Sequence, residues 1–173
     1  MAETGDVGSQ VDALIGGLDP PMVIVTTAVG DERAGCLVGF HAQCSIEPRR
    51  YAIWLSKANH TVRIALHAEH LAVHFLTADD RDVAALFGTT SGTDLDKFSR
   101  CDWSAGPHGV PLLDRCPHWM VLRRTGILDE GSDHFCFAGE PIHVGRTEGF
   151  TPLRLSDVDD LDPGHEADER PGD

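Results

Sequence analysis

Ser56, Lys57, Asn59 and Thr61 stand together at the end of the apolar run Ala52-Ile53-Trp54-Leu55. Hydroxyl, amide and ammonium donors this close together can hold a phosphate, because charge-assisted hydrogen bonds are among the stronger polar contacts. Thr61 is placed to cap a helix over 61–70, whose first N–H groups and dipole would favour an anion. Arg63 and Lys97 are further cationic candidates. The plainer reading of the same residues is a helix cap with solvated neighbours. His134 follows Asp133, and an imidazole with a carboxylate beside it can exchange a proton or offer a hydrogen bond. Successive strand residues face opposite sides, however, and a strand histidine with a purely structural role is an equal reading. His67, His70 and His74 are spaced across two elements and give no tetrahedral set, so the expectation is no metal. No Gly-x-Ser-x-Gly and no cysteine nucleophile pattern gives hydrolysis a foothold.

Short β-rich segments must position these groups. Met22 to Ala28, Tyr51 to Leu55, Leu71 to Leu76, Trp119 to Leu128 and His134 to Val144 read as strands, and the stretch from Gly35 to Pro48 as one glycine-led strand. Gly30-Asp31 and Gly131-Ser132 read as turns. A short helix is expected over Gly8 to Gly17, and another opens at Asp79-Asp80 and runs through Phe87, with acids complementing its dipole. Gly88 to Gly92 reads as a flexible loop without the lysine of a phosphate-binding P-loop. The pattern predicts a mainly β fold with short helices, as an antiparallel barrel of Greek-key type. Three segments are expected: an arm over 1–18, one domain over 19–155, and an acidic disordered tail over 156–173.

The 173 residues carry a net charge of -14, and the tail from Ser156 to Asp173 holds about half of it. This balance argues against nucleic acid and against anionic membrane surfaces. The sequence has no apolar run long enough for a transmembrane helix, and its start lacks the pattern of a signal peptide. Five cysteines without a Cys-x-x-Cys fit reduced thiols in the cytoplasm.

The order of these segments resembles the flavin reductase-like family of split β-barrel FMN-binding proteins. Thr26-Thr27, the Ser45-Ile46-Glu47-Pro48 strand end, the Ser56 to Thr61 turn, Asp96-Lys97-Phe98, Gly109-Val110-Pro111-Leu112-Leu113 and Asp133-His134-Phe135-Cys136-Phe137-Ala138-Gly139-Glu140 carry the likeness in the family's order. The resemblance implies that Ser56, Lys57, Asn59 and Thr61 hold the phosphate and ribityl chain of FMN. Ser45, Lys97 and Phe98 lie in the matching motifs and join the cofactor-binding set. It places Leu37, Val38, Gly39, Phe40 and His41 against the flavin ring, and His134 near the nicotinamide of NADH or NADPH. It also implies a homodimer, and a role as the reductase partner of a separate oxygenase.

At the ring-facing stretch the sequence departs from the family's small polar residues. Leu37, Val38 and Phe40 leave FAD, the deazaflavin F420 or an exchangeable flavin open beside FMN. A non-catalytic flavin, F420 or haem carrier is the alternative function, and an interaction module with an acidic tail is a third. No nucleotide fingerprint with an acidic ribose residue chooses between NADH and NADPH.

Overall fold

The computed structural model describes residues 6–89 and 95–162. Helix α1 (Val7–Gly16) is capped by the Asp6 carboxylate and buries none of its residues. Strands β1 (Val23–Val29) and β2 (Glu32–Val38) form a hairpin through Gly30, whose φ of 58° suits a tight turn. Strands β3 (His41–Ile46) and β4 (Arg49–Ser56) form a second hairpin around a cis Glu47–Pro48 bond. Helix α2 (His60–Ala65), β5 (His70–Phe75) and α3 (Arg81–Thr89) follow. The short pair β6 (Trp103–Ala105) and β7 (Pro111–Leu113) precedes the long hairpin of β8 (Trp119–Leu128) and β9 (His134–Val144).

Seven strands make one antiparallel sheet in the order β2-β1-β5-β8-β9-β4-β3. Strands β2 and β3 therefore lie at opposite edges, yet only Gly39 and Phe40 separate them in sequence. So short a link forces the sheet to curl until its two edges meet. The Trp54 N–H donates to the Phe40 carbonyl at 2.9 Å, extending the β3–β4 ladder into that link. The result is a barrel split at one side, in agreement with the predicted fold class.

The stretch from Gly35 to Pro48 is thus two strands and not one, because the chain bends at Gly39 to change edges. Alternation then sorts the side chains. Val23, Val25, Leu55, Val73 and Phe137 fill the barrel, with Val62 and Ala65 of α2 plugging one end. Ile24 faces outward, into a second core with Phe87 of α3, Phe98 and Leu153. A Cβ on Gly35 would stand 2.8 Å from the Phe87 ring, so glycine is needed there for packing.

Three boundaries differ from expectation. Helix α2 stops at Ala65, well short of His70, because His70 already belongs to β5. Gly88 and Thr89 belong to α3, and the rest of the expected loop lies outside the described residues. The disordered tail does not begin at Ser156. Val158 is buried in the second core, Ser156 bonds both oxygens of Asp19, and Arg81 forks onto the Asp160 carboxylate at 2.5 and 2.7 Å. Residues 163–173 lie outside the described residues.

Candidate active site

The seam between the two sheet edges opens into a cavity of about 330 Å³. Leu37, Val38, Gly39 and Phe40 form one side, and Trp54, Leu55 and Ser56 of β4 form another. Pro20, Met22 and Leu155 close it from the second core, while Asn59 and His134 bring polar groups. Apart from His134 and the Cys36 thiol, no lining side chain is ionisable. Burial pushes that thiol's pKa up, which keeps it neutral. Such walls suit a flat, largely uncharged ring with a few fixed polar contacts.

The polar end is the turn after β4. Asn59, not Thr61, caps α2, its side chain accepting from the Thr61 N–H at 2.9 Å. The cap belongs to Asn59 because its backbone is extended, whereas Thr61 is already inside the helix and buried. Most of the turn's N–H groups are spent internally. Lys57 N–H reaches the Asp133 carbonyl, Ala58 N–H the Ser56 hydroxyl and Asn59 N–H the Ser56 carbonyl. The expectation of a free row of N–H donors at this helix start is therefore corrected. Ser56 and Asn59 are the residues of this turn that line the cavity. His60, at the first position of α2, has its Nδ1 buried without a hydrogen-bond partner.

A second cavity of about 320 Å³ lies beyond Thr61, lined by Arg33, His60, Thr61, Lys97, Phe98 and the carboxylates of Asp31 and Asp96, among others. Lys97 is only 3% exposed, and its ammonium donates to the carbonyls of Gly35 (3.1 Å) and Phe87 (3.0 Å). Phe98 packs edge-on against Phe87 and Trp103. Both residues brace β2 from behind.

His134 stands at the mouth of the first cavity. Asp133 lies just outside β9, so the two side chains are not forced to opposite faces. The Asp133 carboxylate receives His134 Nδ1 at 2.8 Å, which holds that carboxyl's pKa below its usual value. With Nδ1–H so engaged, Nε2 is left for a ligand. The Phe40 ring packs 5.3 Å from the His134 ring, centroid to centroid.

Three expected contacts point elsewhere. His41 spends both ring nitrogens, on the Tyr51 hydroxyl (2.6 Å) and the Pro21 carbonyl (2.7 Å), and burial lowers its pKa. Ser45 sits at a bulge on the edge strand β3. Lys57 pairs with Asp129 at 2.7 Å. None of the three lines either cavity. Sequence reasoning missed Met22, Trp54 and Leu155. Trp54 carried a signal, being a large aromatic two residues before the polar turn. Leu155 carried none, since only the return of the C-terminal segment brings it in.

A family model described as the flavin reductase like domain matches residues 15–157. The chain belongs to this family. Among curated relatives, the FMN reductase (NADH) SmoA of Agrobacterium fabrum is 27% identical over 82% of this chain and 78% of its own. The stachydrine N-demethylase reductase subunit Stc3 of Rhizobium meliloti is 28% identical over 71% of this chain. The chain spans about half of that relative's length, 53%. It covers 39% of the reductase component of the trigonelline monooxygenase of Acinetobacter baylyi, with 26% identity over 75% of this chain. Among solved structures, the NADH:FAD oxidoreductase SgcE6 of Streptomyces globisporus superposes with a TM-score of 0.71 and 25% identity, over 85% of this chain and 88% of that one. A flavin reductase domain protein from Arthrobacter sp. FB24 gives 0.72 at 20% identity over 83% and 89%, which shows the shared fold.

Proposed function

We propose that this chain is a flavin reductase, moving a hydride from NADH to FMN and passing the reduced flavin to a separate oxygenase. The observation that carries the reading is the cavity at the barrel seam, with apolar walls, Ser56 and Asn59 at one end and the Asp133–His134 pair at its mouth. The fit is physical. Met22, Leu37 and Trp54 supply apolar faces for a ring, and Ser56 and Asn59 keep donors free for a polyhydroxy or phosphate tail. FMN bound here would supply a two-electron hydride acceptor. Leu37 and Met22 exclude water from the ring. His134 offers Nε2 to the carboxamide of the incoming nicotinamide, and Asp133 fixes the tautomer that makes this possible.

The names of the relatives support the further parts. SmoA is named for FMN and NADH, Stc3 as the reductase subunit of an N-demethylase, and the trigonelline protein as the reductase component of a flavin-dependent monooxygenase. A homodimer is part of the proposal: the exposed Phe40 and Trp54 leave apolar surface at the cavity. A cytoplasmic setting fits five free cysteines. No helix among the described residues is long and apolar enough to cross a membrane.

The test is NADH oxidation by the purified chain with FMN, FAD, riboflavin or F420 added. Turnover with FMN supports the reductase reading. Tight flavin binding without NADH oxidation would replace it with the carrier reading.

A further inference from the structure

We infer that Asp129, at the tip of the β8–β9 hairpin, is a positioning residue that sets His134 through Lys57. The inference rests on the reading of His134 as the group facing the nicotinamide. Lys57 follows the last residue of β4 and touches the hairpin at three places around His134. Its ammonium pairs with Asp129 Oδ1 at 2.7 Å, its backbone N–H donates to the Asp133 carbonyl at 2.8 Å, and its Nζ lies 4.8 Å from the centre of the Phe135 ring.

Asp129 is itself fixed. The Gly131 N–H donates to the same carboxylate oxygen at 2.8 Å, in a turn that Gly131 makes with a φ of 80°. This pair lowers the pKa of the Asp129 carboxyl, first through the Lys57 hydrogen bond. The Asp129 carboxylate is therefore ionised at neutral pH. The residues between Asp129 and His134 have no core contacts to hold them, and Ser132 offers only a long bond to the His134 carbonyl at 3.3 Å. Remove the Lys57–Asp129 tie, and the turn before His134 is held to the end of β4 only through the Asp133 carbonyl and the β4–β9 ladder. Asp133 is what orients the imidazole. The same geometry turns the Lys57 ammonium away from the cavity, so its role is to fasten the hairpin and not to bind the cofactor phosphate.

The test uses the full chain carrying Asp129→Asn, Lys57→Met, both together, and His134→Ala. Asp129→Asn keeps an oxygen for the Gly131 N–H and removes only the charge. Each single change should lower kcat/KM for NADH by about tenfold, since small displacements at a reacting centre cost this much or more. The loss should fall on the nicotinamide step, with binding of FMN and of riboflavin unchanged. The double variant should be no worse than either single one, because coupled residues do not add. Normal NADH kinetics in Asp129→Asn, with a loss in His134→Ala, would overturn this inference alone. Normal kinetics in His134→Ala would overturn the His134 reading and this inference with it. Weaker FMN but unchanged riboflavin binding in Lys57→Met would return Lys57 to the phosphate.

Discussion

Asn59 joins two jobs that one substitution can separate. Its side-chain oxygen caps α2, and the residue lines the cavity, where its NH₂ is the donor left for a ligand under the proposed function. Asn59→Asp keeps the cap acceptor and replaces the amide donor with a negative charge. Binding of FMN should weaken by at least tenfold, about 1.5–3 kcal/mol for a charged contact, and riboflavin should suffer much less. Isothermal titration of both ligands checks this, and equal losses would remove the phosphate from this turn. His74 gives a second residue-scale prediction. It is fully buried, with Nδ1 bonded to the Ile24 carbonyl at 3.1 Å and Nε2 accepting the Leu113 N–H at 3.1 Å. A neutral ring satisfies both partners. Burial accordingly pushes the pKa down to about 4 from 6.5. The unfolded chain takes up this proton below pH 6.5, and the folded chain refuses it until about pH 4. Stability should therefore be level in this respect above pH 6.5 and fall as the pH drops towards 4, by about 3 kcal/mol. Urea unfolding at pH 7 and pH 4.5, compared with a His74→Gln variant, isolates the contribution.

The element that decides the cavity's shape without touching its polar groups is the returning C-terminal segment. Leu153 N–H bonds the Leu76 carbonyl, Leu155 N–H bonds the Pro20 carbonyl, and Ser156 closes on Asp19. These contacts bring Leu155 to the cavity wall. Val158→Ala should cost about 1–2 kcal/mol of stability, as buried methyl groups do. A chain ended at Leu155 should lose more, with a higher KM for flavin, as read by thermal melts and steady-state kinetics. This segment also shows where sequence reading stops. β8 and β9 were legible to the residue because both flank the local turn signal at Gly131-Ser132. The Ser56 to Thr61 turn was legible because its donors are adjacent. The break of the Gly35–Pro48 strand was not, since it is forced by which edges the two halves pair with. The acidic composition after Ser156 hid Val158, whose burial depends on a surface 70 or so residues earlier, at Val83 and Phe87. For the same reason Lys57, Lys97 and His41 read as ligand groups. Their types suited a ligand, and only the fold reveals that Asp129, Gly35, Phe87, Tyr51 and Pro21 already occupy them.

At the scale of the molecule, a net charge of -14 would face two anions, FMN and NADH, under the proposed function. Long-range repulsion should slow their encounter, and salt should screen it, with a Debye length of about 8 Å at physiological ionic strength. The second-order rate for NADH should thus rise on going from 10 to about 150 mM salt, whereas riboflavin, being neutral, should show little change. Stopped-flow rates at several salt concentrations test this. The central claim is that the barrel seam is a flavin and nicotinamide site. The most direct measurement is the absorbance of the purified chain mixed with FMN under anaerobic conditions, followed as NADH is added. The account predicts bleaching of the oxidised flavin at a rate that His134→Ala lowers by at least about tenfold. Bleaching no faster than FMN and NADH react without protein would contradict it.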